Sequence, residues 1–201
     1  MEAAVAAAAI TQDELGHARS LFAMLREFPG VPQELQGEND FQRTEHFAPG
    51  LLQTRLPSWF ECIALLFLLD RALTAVFRLA KQSSFVPLRQ RVAKILQEEH
   101  FHETYSRGWL KHIRKQGQPA LNRLQEAIHK FWPVTVYWFG PEKETSVALL
   151  TESGMLSEPL WHAYQDWLES TQSFMEQIGL IVPDFTPAWD RWHPRRREVE
   201  P

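Results

Sequence analysis

Ile10, Leu21 and Leu25 share one face of a helical pattern with Glu14 and His17, so that two ionisable groups stand in an apolar stripe. Ala-rich sequence precedes them and Pro29-Gly30 with Pro32 follows, which predicts a first helix ending near Phe28. Residues 30–57 mix Gly, Pro, Asn and Asp without a period and read as a long crossing connection with at most a short helical turn. Ser58 and Glu61 form an S-x-x-E capping box ahead of a long apolar run, which starts a second helix and carries it to about Lys81. After a turn at Gln82 to Pro87, a third helix is expected from about Leu88 to Lys115, with Val92, Ile95, Glu99, His102, Ser106, Trp109 and Ile113 on one face. Gly117 and Pro119 stop it. Another helix is expected from Ala120 to about Phe139, bent or broken at Pro133, and a last one from about Leu160 to Ile178, closed by Gly179. No strand pattern competes, so the fold class is all-α, an antiparallel helical bundle with additional C-terminal helices.

The 201 residues are 44% apolar, enough for one good-sized core, and are read as a single domain, 1–201, with a Pro/Arg-rich tail over 183–201. A formal charge of −4 argues against nucleic acid as a partner, since the one basic cluster, Arg195 to Arg197, lies in that tail. The single cysteine, Cys62, sits in an apolar run and reads as a small buried hydrophobe, which suits a reducing, cytoplasmic location. The Ala-rich start carries Glu2 where a secretory signal would be basic, and no apolar stretch reaches the roughly 18 residues of a membrane span. A soluble protein is expected.

Three Glu-x-x-His pairs occur, Glu14/His17, Glu99/His102 and Glu126/His129, and position separates them. The first two lie on the apolar stripes of their helices. Glu126 lies roughly 160 to 200 degrees from most of the stripe made by Leu121, Leu124, Ile128 and Phe131, taking about 100 degrees per residue, so the third pair should face solvent. Buried carboxylates need partners, and a carboxylate and a neutral imidazole at i and i+3 can reach one metal ion. Asp70 interrupts the apolar run Leu65 to Leu73 and is level with Glu99 if the second and third helices form an antiparallel hairpin turning between residues 84 and 85. Glu14 comes level with Asp70 by the same reasoning, to within about 3 Å at about 1.5 Å per residue. The expected metal ligands are therefore Glu14, His17, Asp70, Glu99 and His102, with Glu14, Asp70 and Glu99 the residues closest to the chemistry. Two such motif helices plus single-carboxylate helices make the di-iron or di-manganese arrangement of ferritin-like bundles, whose long crossover the 30–57 segment would match. Glu61 is assigned to the cap, and Glu98 and His100 flank the inward stripe. His46, His112, His162 and His193 have no partner at ligand spacing, and Trp109, Trp161 and Trp167 read as core.

Gln12 to Ala18 and Glu98 to His102 resemble the phenylacetyl-CoA epoxidase subunit family of phenylacetate catabolism, and the resemblance continues through Asn122 to Pro141 and Gly179 to Asp184. Ser106 to Leu110 is closer to that family's structural, non-catalytic subunit. For the catalytic subunit the resemblance implies a ferritin-like fold with two iron ions, manganese being a possible substitute. The iron would activate O2 and insert one oxygen atom into the aromatic ring of a CoA thioester, with electrons from a separate reductase. Its metal ligands match Glu14, His17, Asp70, Glu99 and His102. The resemblance further implies a hetero-complex with related bundle subunits. It also implies a carboxylate from a helix ahead of the first motif, which the thirteen residues before Glu14 do not hold and which an upstream start or a neighbouring subunit would supply. The rival readings are the structural subunit and an iron-oxidising ferritin relative. The substrate pocket is expected beside the cluster, among apolar residues of the second and third helices, and Asp13 is expected to support a histidine ligand from behind.

Overall fold

The computed structural model describes residues 2–25, 27–28, 50–53 and 55–199, and these build an all-α bundle. Helix α1 spans Glu2–Leu25, close to its expected end, and buries only His17 and Met24. Most of the crossing segment 30–57 lies outside the described residues, as does His46; within it Gly50–Gln53 forms one 3-10 turn, whose Gly50 N–H donates to the Glu198 carboxylate at 2.6 Å. Helix α2 (Trp59–Leu65) starts where the capping box places it, with Ser58 Oγ accepting the Glu61 N–H at 3.3 Å. The Glu61 carboxylate, however, pairs with Lys130 Nζ at 2.8 Å rather than completing the box. Ser58→Ala should lower the unfolding free energy by about 1 kcal/mol, as losing an N-cap acceptor does, measurable by urea titration.

The single helix expected from Ser58 to Lys81 is interrupted. Leu66–Asp70 forms a π-helical turn between α2 and α3 (Arg71–Ala80). Such turns hold one residue more than an α-turn and occur mostly as single insertions at functional sites. The run Leu66-Phe67-Leu68-Leu69 carries no composition signal for it.

Helix α4 (Val86–Lys115) is the long third helix expected from the sequence, and α5 (Gln118–Phe139) follows. Contrary to expectation, α5 runs through Pro133 as one helix. Proline there removes only the hydrogen bond to the carbonyl of residue 129, and His129 lies on the exposed side, where water can take that role. A short helix α6 (Thr145–Glu152), which periodicity does not reveal, precedes α7 (Leu160–Gln177). The Pro/Arg-rich tail is not featureless. It contains a two-residue antiparallel pair, β1 (Trp192–His193) with β2 (Glu198–Val199), correcting the expectation of no strand. This pair packs against the end of α5, where Trp192 Nε1 donates to Tyr137 O at 2.9 Å and Arg197 donates to the carbonyls of Trp138 and Phe139. Gly140 has φ +80°, and a Cβ there would stand 2.7 Å from Arg197 Nη2, so glycine is required on both grounds.

One hydrophobic cluster runs through the described helices, with Ile63, Phe67, Leu68, Leu110, Leu124, Ile128, Phe131, Trp167 and Met175 at its centre. Helix α3 packs on both α4 and α7, α2 packs on α5, and α1 lies on α4. Hence α1, α4 and the π turn converge on one layer. Of the three tryptophans assigned to the core, Trp167 is buried and Trp109 and Trp161 are half-buried.

Candidate metal centre

Glu99 and His102, one turn apart on α4, are each 1% exposed, and the interior they enter also receives Asp70 from the π turn and Glu14 and His17 from α1. One oxygen or nitrogen each from Glu14, Asp70, Glu99 and His102 lie within 4.8 Å of one another. His102 Nδ1 is 3.2 Å from Glu14 Oε1, 3.7 Å from Asp70 Oδ2 and 3.8 Å from Glu99 Oε2. His17 Nδ1 is 3.3 Å from Glu99 Oε1 and 3.7 Å from Glu14 Oε2. All five residues singled out from the sequence thus face a common centre. The Glu126/His129 pair is exposed, as its position on α5 implies.

Both imidazoles turn Nδ1 inward and Nε2 outward. His17 Nε2 meets Glu98 Oε2 at 2.8 Å, and His102 Nε2 meets Asp13 Oδ2 at 3.3 Å. A carboxylate accepting Nε2–H fixes the tautomer that leaves the Nδ1 lone pair free, which is how metal-binding histidines are commonly oriented. Asp13 is expected in this role from the sequence. Glu98 stands out there only as a flanking residue, and its spacing one position from Glu99 gives no means of assigning it to a histidine 81 residues away. Sequence reasoning misses Thr74 altogether, although its hydroxyl lies 3.0 Å from Glu99 Oε2 and 3.1 Å from the Asp70 carbonyl. Its only sequence signal is a polar residue one helical turn after Asp70.

The polar accounting is what marks this cluster. Among the described residues nine buried side-chain polar atoms lack a hydrogen-bond partner, and six of them are here: Glu14 Oε1, His17 Nδ1, both Asp70 oxygens, Glu99 Oε1 and His102 Nδ1. Orphaned buried acceptors are costly singly, and six aimed at one point are the donor set of a cation site. Mixed carboxylate and imidazole donors suit iron, manganese or zinc.

Without a cation the cluster must hold protons. Burial opposes the imidazolium of His17, but Glu14, Glu99 and Glu98 overcome it and lift its pKa to about 10. For His102 burial is likewise outweighed by Asp70, Glu14 and Asp13, and its pKa rises to about 11. Burial raises the carboxyl of Glu14 less than the two histidines lower it, leaving it at about 2, whereas burial and the nearby Glu99 and Glu14 charges push Asp70 up to about 8. At pH 7 a cation therefore has to displace protons from His17, His102 and Asp70. Loading should release about three protons per chain, readable with an indicator dye in weak buffer.

The open space beside the cluster is not among the apolar residues where the sequence places it. Ile63, Ala64, Phe67 and Leu68 are wholly buried in the core. A groove of about 170 Å³ lies instead along the α1–α4 seam, lined by Asp13, Gly16, His17, Ser20, Arg91, Lys94 and Glu98 among others. No atom lies within 4 Å of where a Gly16 Cβ would be, so this side of the centre is approachable.

None of the described helices is long and apolar enough to cross a membrane. One of the subunits of 1,2-phenylacetyl-CoA epoxidase from Escherichia coli (strain K12) is 29% identical over 164 residues, covering 79% of this chain and 63% of that relative. The chain thus spans less than two thirds of the length of this relative. The family of phenylacetic acid catabolic proteins matches residues 1–196, essentially the whole length over which these helices and the cluster are built, and the chain belongs to that family.

Proposed function

We propose that this chain is the oxygen-activating component of a multi-subunit epoxidase of the phenylacetate type, holding two iron ions and acting on phenylacetyl-CoA or a similar aryl-CoA thioester. The observation that carries this reading is the convergence of six unpartnered buried donor atoms from Glu14, His17, Asp70, Glu99 and His102. Family membership supplies the reaction class. On this reading the chain is a single ferritin-like domain, and it works with related bundle subunits and a reductase.

When bound, the metals supply the redox chemistry of O2 activation, which no side chain here can perform. The protein's part is to prepare their ligands. Glu98 and Asp13 hold His17 and His102 with Nδ1 available. Thr74 occupies one oxygen of Glu99 and leaves the other free. Asp70, with neither oxygen engaged, can bind through one atom or two. The α1–α4 groove, with Arg91 and Lys94 on its rim, gives an anionic substrate a route toward the centre.

The test is metal content and turnover together. Protein purified without chelators should contain about two iron ions per chain, the complement of carboxylate-bridged bundles. Combined with its partner subunits and a reductase, it should consume O2 in proportion to phenylacetyl-CoA. No stoichiometric metal in folded protein, even after anaerobic addition of ferrous iron, would sink the proposal.

A structural-subunit reading has one observation in its favour. Two imidazoliums facing three carboxyl groups, with Asp70 still protonated at neutral pH, let the cluster stand without a cation. Retention of activity by a complex in which this chain carries His102→Ala would favour it.

A further inference from the structure

We infer that α7 positions Asp70, with Trp167 and Arg71 as the residues that transmit its grip. This rests on the reading of Asp70 as a metal ligand and adds what determines where that ligand stands.

Neither oxygen of Asp70 takes a hydrogen bond, so the carboxyl has nothing of its own to hold it and its place is set by its backbone. That backbone closes the π turn, a conformation with poorer internal hydrogen bonding than the α-helix on either side. Support comes from α7. Trp167, 2% exposed, donates its indole N–H to the Leu68 carbonyl at 2.9 Å, inside the turn and two residues before Asp70. The same carbonyl accepts the backbone N–H of Arg71. On the other side of Asp70, the buried Arg71 guanidinium donates to Thr171 Oγ1 and to Ser170 Oγ, both at 3.0 Å, while its Nε lies 3.3 Å from Glu103 Oε1.

The grip has a rigid base. The Trp167 ring packs 5.2 Å from that of Trp132 and 5.4 Å from that of Phe139, both on α5. Arg71 also stacks over Phe67, at 5.0 Å from the ring centre. Helix α7 therefore holds the chain immediately before and after Asp70 while contributing no donor atom to the cluster. Trp167 is in this sense a positioning residue, acting through Leu68 and never touching the centre.

The test compares the full-length wild type with Trp167→Phe, which keeps an aromatic ring and removes the N–H. Ala163→Gly serves as control, because it weakens α7 at a buried position while leaving the indole in place. Cobalt(II) chloride is titrated into metal-free protein and followed by visible absorption, and amide hydrogen exchange is measured over residues 66–71 without metal. Trp167→Phe should bind cobalt about 10- to 100-fold more weakly, the usual cost of losing an outer support of a ligand. It should also exchange at 66–71 at least about tenfold faster, while Ala163→Gly keeps the wild-type cobalt affinity and spectrum. Equal cobalt affinity and exchange in Trp167→Phe and wild type would overturn the positioning role and leave the metal reading intact. An equal loss in Ala163→Gly would also overturn it, by showing that any weakening of α7 suffices. A wild type that takes up no cobalt overturns the metal reading itself, and the role of Trp167 with it.

Discussion

Glu99→Ala is expected to empty the centre of both metals while the chain stays folded. Glu99 lies between the two histidines, with one oxygen 3.3 Å from His17 Nδ1 and the other 3.8 Å from His102 Nδ1, and their rings are 6.3 Å apart. Among the described residues no other carboxylate is both so deeply buried and so placed, so its removal strips a ligand from each half of the site. The Thr74 hydroxyl released by the change can still donate to the Asp70 carbonyl at 3.1 Å, which limits the structural damage. Glu98→Ala is the informative contrast. Glu98 touches only the outer nitrogen of His17, so metal should remain with affinity reduced about 10- to 100-fold. Elemental analysis and circular dichroism of the two variants read both effects. If Glu98→Ala loses as much metal as Glu99→Ala, the division between ligand and support is wrong; if neither loses any, the centre is misassigned.

The second large effect concerns acidity. In metal-free protein the folded pKa values of His17 and His102, about 10 and 11, exceed the ordinary 6.5. Their contribution to stability is then fully present below about pH 6.5 and is lost as pH rises toward 10 to 11. Asp70, raised from 3.8 to about 8, acts in the same direction, because between those values the folded chain keeps a proton that the unfolded chain has lost. Glu14, lowered from 4.5 to about 2, contributes oppositely, with stability present above about pH 4.5 and lost on acidification through 2. The metal-free protein should therefore be most stable in mildly acidic solution, near pH 5, and lose on the order of 3 kcal/mol or more between pH 7 and 9. Saturating divalent metal should reverse the trend, since ions bind better once those protons have gone. Urea midpoints at pH 6 and 9, with and without metal, decide the matter: a metal-free protein as stable at pH 9 as at pH 6 would show that the histidines are not held as imidazoliums.

The helices are readable from sequence because their signals are local. Proline, glycine and capping residues stand at their ends, and amphipathic spacing sets their inner faces. Residues of the centre can be picked out because a charged group on an apolar stripe is conspicuous, as Asp70 is between Leu69 and Ala72 with only Arg71 beside it. What stays hidden depends on distant partners or on geometry without a composition. The π turn is written in leucine and phenylalanine, which any buried helix would use. Pro133 suggests a break because sequence does not reveal on which side of the bundle the lost hydrogen bond falls. Thr74 and Glu98 acquire their roles only when α3 or α1 is laid against α4. Likewise Arg71 has the look of a surface charge next to the important aspartate, yet it is buried and bound to α7.

The clasp at the end of α5 bears on how the chain folds. The carbonyls of Tyr137, Trp138 and Phe139 are satisfied by Trp192 and Arg197, 55 to 59 residues further on. A helix that closes its own last turn does so within about a microsecond, but this one has to wait for a loop several dozen residues long to find its way back. Contacts of that separation slow folding and tend to form after the main barrier is crossed. Cutting them should therefore accelerate unfolding while leaving the rate of folding nearly untouched.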